Sequence, residues 1–193
     1  MNIFKSKLLN NVNKNNYPII IICIVWIILT LQAFFSGYFN NIDQRIRGED
    51  PVGYFVYLPS IIFDHDVDFF NNYQQIYKYK KGDTNAYAYR KESSTGYTDN
   101  PWSIGPAIAW SPFYISAHAV GKLSNHYFNS NYLNNGFHGL YSRFITIGNA
   151  IYSLIGCIFC YLLCCFFVSR NMALMSSIII LLATQLTYYT WSW

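Results

Sequence analysis

Charged residues are scarce in this chain. Only 11% of its 193 residues are charged, whereas a soluble domain usually carries about 25%. Hydrophobic residues make up 53% of the chain and aromatic residues 20%. The net charge is only +4 and no dense run of basic residues is present, which argues against a nucleic-acid partner. This balance predicts a membrane protein whose first partner is the lipid bilayer.

Several sequence signatures of soluble enzymes are also missing. The chain has no Gly-rich phosphate loop, no Ser-His-Asp set and no HExxH motif. Its five cysteines all lie in apolar stretches, and the CxxC at Cys157 and Cys160 has neither a second pair nor a nearby histidine to complete a zinc site. We interpret these cysteines as buried thiols on membrane helices, with a metal or redox role as the less favoured alternative.

Three apolar stretches lack an internal charge and are long enough to cross a bilayer, which takes about 20 residues. They predict an all-α polytopic membrane protein with transmembrane helices at 18–36, 142–169 and 172–193, the second of which has Arg143 as its second residue, just before the apolar stretch from Phe144 to Val168. No small-x-small cleavage site follows the first stretch, so we interpret it as an uncleaved anchor.

Basic residues near the first span set the predicted topology. Lys5, Lys7 and Lys14 precede it without an acidic residue among them, which predicts a cytoplasmic tail at 1–17 and an extracytoplasmic loop at 37–141. The loop is predicted to contain in-plane helices near 52–64 and 103–121.

The second of these in-plane helices has an alternative reading. The stretch from Ile104 to Val120 is apolar but is interrupted by prolines, serines and tryptophans, which suits a helix in the membrane interface. If it crossed the bilayer instead, Lys122 would lie inside and Arg170 outside, a slightly poorer distribution of positive charge.

The predicted loop contains all nine acidic residues and all four histidines of the chain. Glu49 and Asp50 follow the first span by only about a dozen residues, so we expect them near the membrane surface. Pro51 suits the first turn of a helix, and apolar residues then recur at helical spacing. The pair is therefore either a helix cap alone or a carboxylate placed to act as a general base.

Asp64, Asp66 and Asp68 alternate along the chain. A calcium loop would need glycine where Phe69 stands, and no closing glutamate follows. A D-x-D grip on a nucleotide sugar does not suit an outer face where such donors are not supplied. We interpret the run as a solvated turn that ends a helix.

Basic residues in the middle of the loop have two readings. They form either a solvated face or a clamp for a lipid phosphate at the membrane surface. The residues are Lys78, Lys80, Lys81, Arg90 and Lys91.

The order of these features resembles the start of the GT-C glycosyltransferases, membrane enzymes that use polyprenyl-phosphate sugars and include the protein mannosyltransferases and the aminoarabinose transferases of lipid A. GEDPVGYFVYLPSIIFDHDVDF resembles the acidic segment of their first outer loop, and NPWSIGPAIAWSPFYISAHAVGKL resembles its second juxtamembrane helix. The stretch YSRFITIGNAIYSLIGCIFCYLLCCFFVSRNMALMSSIIILLATQLTYY resembles the hairpin of spans that follows.

The resemblance implies a GT-C-like front end that transfers a sugar, with inversion, to a glycan, lipid or protein acceptor on the outer face of a bacterial inner membrane. Asp50, or its neighbour Glu49, would be the catalytic base. The basic residues Arg90, Lys91 and Arg143 would hold the departing lipid phosphate, with Tyr54 also at the substrate site.

This chain departs from the family pattern at one lysine, and the resemblance does not decide whether a metal ion is used. Lipid A transferases carry a lysine before the second juxtamembrane helix, where this chain reads Thr98-Asp99-Asn100-Pro101, so the roles of Arg90 and Lys91 are less secure. A divalent cation stays open because only some relatives use one, and no other cofactor is expected.

Two other functions stay open. A transporter or flippase for lipid-linked saccharides would need ionisable residues or helix breaks inside the spans, where strongly polar residues are few, Asn149 and Gln185 among them. A non-catalytic membrane scaffold would not depend on Asp50 for activity. Because GT-C enzymes have many more spans, we expect this chain to be the amino-terminal piece of a longer protein.

Overall fold

The computed structural model describes residues 16–35, 49–77, 94, 96–132 and 134–191. The regular elements in these ranges are helices, which confirms the all-α part of the predicted fold. They are α1 (Tyr17–Phe35), α2 (Glu49–Phe55), α3 (Tyr57–Pro59), a π-helical turn (Ser60–Asp64), α4 (Phe70–Tyr77), α5 (Gly105–Phe128), α6 (Gly139–Cys164), α7 (Arg170–Ala183) and α8 (Leu186–Trp191).

The described helices belong to two compact units. One contains α1 and the chain from Asn149 onward, and the other contains α2 to α5 and the beginning of α6. Helix α6 therefore contributes to both units.

The unit around α1 has an apolar core and a few polar ties between helices. Ile22 of α1, Cys157 and Tyr161 of α6 and Leu174 of α7 are buried in this core. The indole N–H of Trp26 donates to the carbonyl oxygen of Ala150 at 3.1 Å and to the hydroxyl of Ser153 at 3.3 Å. Because these polar groups are hydrogen-bonded to each other, burying them away from water costs little free energy. The outward face of α1, by contrast, exposes isoleucines to the surroundings.

One helix of the described part of the chain, α6, is both long and apolar enough to cross a membrane. Its 26 residues would span about 39 Å at the usual rise per residue. The other apolar helical segments, Tyr17–Ala33 and Arg170–Ala183, are shorter. Length and composition thus support one span, and the three-span arrangement stays a prediction.

The last predicted span, 172–193, is not one helix in the structure. Helix α7 ends at Ala183, Thr184 is extended, and α8 begins at Leu186. The hydroxyl of Thr184 donates to the carbonyl of Ile180 at 2.6 Å and accepts the backbone N–H of Leu186 at 3.2 Å. The hydroxyl of Thr184 thus replaces backbone partners that an unbroken helix would supply. No proline or glycine in the sequence indicates this break.

The core of the other unit is built on one face of α5. Ala107, Trp110, Tyr114 and Ala117 are buried there against Phe55, Leu58 and the first turns of α6. We use the term core cluster for Phe55, Leu58, Ala107, Trp110, Tyr114, Ala117, Tyr141 and Ile145.

Aromatic rings and their hydroxyl groups hold the centre of this core together. The Tyr114 hydroxyl donates to the carbonyl oxygen of Gly136 at 3.0 Å, and its ring lies 4.7 Å from that of Tyr141. The Tyr141 hydroxyl is 2.9 Å from Nδ1 of His118. Burial, together with the nearby charge of Lys122, lowers the pKa of His118, so the imidazole is neutral at neutral pH. We interpret Tyr114, Tyr141 and His118 as a structural network whose polar groups are hydrogen-bonded.

Candidate functional site

The acidic pair lies in the first turn of α2. Glu49 and Asp50 are the first two residues of this helix, and both are exposed. The position suits the partial positive charge of a helix amino terminus. Val52 and Phe55 of the same helix are fully buried, so the apolar face fixes α2 while the carboxylates point to the surface.

Asp50 has a specific partner in the segment that leads into α5. The indole N–H of Trp102 donates to Oδ1 of Asp50 at 2.8 Å, across 52 positions of sequence. A charge-assisted bond of this kind fixes a carboxylate more firmly than a bond between neutral groups. It therefore orients one oxygen of an exposed acid. Glu49 makes no hydrogen bond or ion pair to any residue that the structure describes.

Two further bonds join the Trp102 segment to the acidic helix α2 and to α3, which follows it. The Tyr57 hydroxyl donates to the carbonyl of Trp102 at 2.7 Å, and the Asn100 amide donates to the carbonyl of Gly53 at 3.0 Å. Asn100 also accepts the backbone N–H of Trp102 at 3.3 Å. Burial, with a smaller contribution from Asp99, raises the pKa of Tyr57, so its phenol stays protonated and able to donate.

Gly53 allows the indole of Trp102 to approach the helix. A Cβ placed on Gly53 would lie 2.2 Å from Cδ2 and 2.3 Å from Cε3 of that ring. No side chain fits at such distances, so glycine at this position is required for the position of Trp102. The helix gives up intrinsic stability for this approach, because glycine is a poor helix former.

We predict that Gly53→Ala will displace Trp102 and weaken its bond to Asp50. Gly156→Ala in α6 is the matched control, because an added Cβ there meets nothing within 4 Å. Alanine should therefore be neutral or stabilising at Gly156 by up to about 1 kcal/mol, and destabilising by about 1–3 kcal/mol at Gly53. Thermal unfolding of both variants in detergent measures this; equal behaviour of the two would contradict the close packing.

Tyr54 lies one turn after Asp50 on α2. It is partly buried, and its ring meets Trp110 edge to face with centroids 6.4 Å apart. The predicted substrate residue thus shares a helix with the acidic pair. Part of the Tyr54 ring is packed against the core, as is usual for a buried aromatic side chain.

Of the predicted basic site residues, the structure describes Arg143. Arg90 and Lys91 lie outside the described residues. Arg143 lies in α6, where its Nε atom is enclosed and has no hydrogen-bond partner in the described ranges. No hydrogen bond or ion pair joins Arg143 to Asp50 or Tyr54 within those ranges.

The alternating aspartates tie their own turn together. Oδ2 of Asp64 accepts the amide N–H groups of Asn71 and Asn72 at 3.0 and 2.8 Å. Oδ1 of Asp68 accepts backbone N–H groups of Phe70 and Thr98 at 3.3 and 3.2 Å. The π-helical turn ends at Asp64, whose carboxylate accepts only side-chain amides of α4 within the described ranges. The carboxylate of Asp68 satisfies the backbone N–H of Phe70 at the start of α4. Among the described residues, no group of three acidic, histidine or cysteine side chains is placed to hold a metal ion.

A groove of about 250 Å³ lies in the other unit, between α6 and α8. Asn149, Ser153 and Gly156 line it from α6, and Leu186 and Thr190 line it from α8. None of these side chains is charged. The groove lies next to the break that separates α7 from α8.

Trp102, Asn100 and Gly53 are the site residues that sequence reasoning does not identify. The only local signal is Gly53, an isolated glycine inside a helical pattern, which usually has a packing reason. Comparison with known proteins adds no assignment, because no family model, curated protein or solved structure matches this chain.

Proposed function

We propose that this chain is the front end of a membrane glycosyltransferase that moves a sugar from a polyprenyl-phosphate donor to an acceptor on the outer membrane face. One observation supports this more than any other. The exposed carboxylate of Asp50 is oriented by the indole N–H of Trp102 at 2.8 Å. An acid that is open to solvent on one side and fixed on the other suits a general base that must meet a substrate hydroxyl.

In this proposal, Asp50 removes the proton of the acceptor hydroxyl as that oxygen attacks the anomeric carbon. The bond from the anomeric carbon to the lipid phosphate oxygen breaks, and the configuration at that carbon inverts. Glu49 lies beside the reacting groups and adds negative charge near the sugar. The acceptor, whether a glycan, a lipid or a protein, is left open by these residues.

Cationic side chains would stabilise the departing phosphate. Arg143 is the described candidate: its guanidinium forms no ion pair with a described residue, so its charge is not neutralised there. Arg90 and Lys91 are the further candidates on the predicted loop. Tyr54 would contact the sugar from its position one turn after Asp50.

Three membrane spans belong to the same proposal. Helix α6 meets the length for a span by itself. Helix α1 has 19 residues without a charged side chain, and α7 with α8 would cross as a broken pair. Helices interrupted in this way are tolerated in membranes where side chains satisfy the freed backbone groups, as the Thr184 hydroxyl does here. With residues 1–17 cytoplasmic, the acidic helix would lie on the outer face of a bacterial inner membrane.

A transporter for lipid-linked saccharides is the second candidate, and one observation favours it. Asn149, Ser153 and Thr190 bring polar atoms to a groove beside a broken helix, and discontinuous helices often form the substrate sites of transporters. The absence of charged side chains from this lining weighs against a site for a phosphate.

One assay separates the two functions. Vesicles containing the complete protein are incubated with a polyprenyl-phosphate carrying a radiolabelled sugar, and both released polyprenyl phosphate and labelled acceptor are followed. A transferase releases lipid phosphate and labels an acceptor with inverted configuration. A transporter moves the intact lipid-linked sugar between leaflets and releases nothing. If a panel of such donors is neither consumed nor moved, both proposals fail.

A further inference from the structure

Arg170 carries a positive charge that its own unit does not neutralise. It is the first residue of α7, its side chain is half-buried, and its Nη2 atom is enclosed without a hydrogen-bond partner in the described ranges. No Asp or Glu occurs in residues 1–42 or 100–193, so the unit around α1 contains no acidic side chain. Enclosing a charge is costly unless an opposite charge compensates it. A compensating anion must therefore come from outside this unit.

The start of α7 favours an anion at the same place. Ser169, the residue before Arg170, is extended, and its side chain makes no capping hydrogen bond. The backbone N–H groups of the first turn have no partner inside the helix, and the helix dipole places partial positive charge there. A basic residue is unfavourable at this end of a helix, yet Arg170 occupies it. An anion bound here would be stabilised by the guanidinium and by the backbone N–H groups together.

A hydrogen bond between α1 and α7 fixes the position of this helix start. The hydroxyl of Tyr17, the first residue of α1, donates to Oδ1 of Asn171 at 2.7 Å. The N–H of Ala173 donates to the carbonyl oxygen of Ser169 at 2.9 Å, which closes the first turn of α7. The donor groups are therefore in position before a ligand binds, and this lowers the entropic cost of binding.

The surroundings of Arg170 identify the anion as part of a lipid. Helix α6, which is long and apolar enough to cross a membrane, ends at Cys164, shortly before Arg170. Its length of about 39 Å exceeds the hydrocarbon core of about 30 Å, so a span by α6 brings the chain after Cys164 to the level of the headgroups. Phe167 and Met172, on either side of Arg170 in the sequence, are 80% and 60% exposed. Acyl chains would cover these apolar side chains, whereas a free phosphate ion would leave them exposed.

We propose that Arg170 and the start of α7 bind the phosphate group of one anionic phospholipid molecule. The open edge of the guanidinium and the hydroxyl of Ser169 donate hydrogen bonds to the phosphate oxygens, and Phe167 and Met172 contact the acyl chains. Basic pockets between membrane helices bind acidic headgroups in this way. Because the unit has no acidic residue, an anionic lipid is favoured over a zwitterionic one. The inference is independent of sugar transfer: Arg143, the candidate for the donor phosphate, lies near the beginning of α6, and Arg170 follows its end.

Native mass spectrometry of the complete chain in detergent tests this site. Delipidated protein is titrated with phosphatidylglycerol, with phosphatidylcholine and with inorganic phosphate. We expect one phosphatidylglycerol molecule to bind, and Arg170→Gln to weaken that binding about tenfold to a hundredfold, the value of a hydrogen bond to a charged group. Lys122→Gln is the matched control, because it removes one exposed positive charge from the other unit. Wild-type affinity for phosphatidylglycerol in Arg170→Gln, or an equal loss in Lys122→Gln, would overturn the proposal.

The same titrations identify the ligand. We expect phosphatidylcholine to bind the wild-type chain several-fold more weakly than phosphatidylglycerol, and equal affinities for the two lipids would contradict the preference for an anionic headgroup. Inorganic phosphate that binds as tightly as phosphatidylglycerol would mean a site for a free anion, and the lipid assignment would be wrong.

Arg170→Lys tests the guanidinium itself and decides the question if Arg170→Gln does not fold. Lysine keeps the positive charge but lacks the planar fork of donors. We therefore expect this variant to bind phosphatidylglycerol several-fold more weakly than the wild-type chain does. An unchanged affinity would refute the contact between the guanidinium and the phosphate.

Discussion

Asp50→Asn is expected to lower the rate of sugar transfer by the complete protein about 100-fold to 10,000-fold, the usual contribution of a general base. Asparagine has nearly the same shape and keeps an oxygen that can accept the indole N–H of Trp102, which is 2.8 Å from Oδ1 of Asp50. The substitution therefore removes basicity and charge while preserving the position of the side chain. Initial rates with a saturating lipid-linked donor in membranes measure the effect.

Glu49→Gln is the neighbouring control for this substitution. Glu49 is exposed, shares the first turn of α2 and has no described hydrogen bond, so the same change of charge should cost less than about tenfold. A larger loss at Glu49 than at Asp50 would exchange the roles of the two acids. Two variants with wild-type rates would remove the catalytic assignment and leave capping as the function of the pair.

Trp102→Phe separates orientation from basicity. Phenylalanine can still cover Gly53, but it cannot donate a hydrogen bond to Asp50. We expect kcat to fall roughly tenfold to a hundredfold with little change in KM, because a misplaced catalytic group slows the chemical step more than substrate binding. A change in KM alone would indicate that Trp102 contacts the substrate and does not position the base.

Local patterns in the sequence account for the acidic helix but not for its partner. Pro51 and the apolar spacing after it place Glu49 and Asp50 at the start of a helix, where the structure has them. The contact with Trp102 joins positions 52 apart, and no periodicity encodes a pairing across a chain segment of that length. Sequence reasoning could find the acid, but only the tertiary structure identifies the group that orients it.

Helix ends are also poorly predicted from local sequence signals: one helix continues past such a signal and another ends without one. Gly121 and Lys122 are typical of a helix end, yet α5 continues to Phe128. Gly121 serves close packing instead, since a Cβ there would lie 2.8 Å from Oδ1 of Asn134. Conversely, the break at Thr184 carries no glycine or proline signal. Both outcomes depend on contacts and hydroxyl bonds that a hydropathy pattern does not contain.

Tyr114→Ala is expected to destabilise the protein by about 3–5 kcal/mol, the range for removing a large aromatic side chain from a core. Tyr114 is fully buried, and it touches the rings of Phe55, Phe63 and Tyr141 from three directions. Its loss leaves a cavity that α2, α5 and α6 all border. Because α2 bears Asp50, activity should fall together with stability.

Two further variants make the Tyr114 prediction specific. Tyr127→Ala removes the same side chain from the same helix where it is 70% exposed, and should change the free energy of unfolding by less than about 0.5 kcal/mol. Tyr114→Phe keeps the ring and loses the bond to Gly136, which is worth about 1 kcal/mol. Denaturant unfolding in detergent micelles ranks the three variants. If the aromatic core is tightly packed, Tyr114→Ala will be the least stable variant, Tyr114→Phe intermediate and Tyr127→Ala the most stable. Equal effects of Tyr114→Ala and Tyr127→Ala would mean that this core does not hold the acidic helix in place.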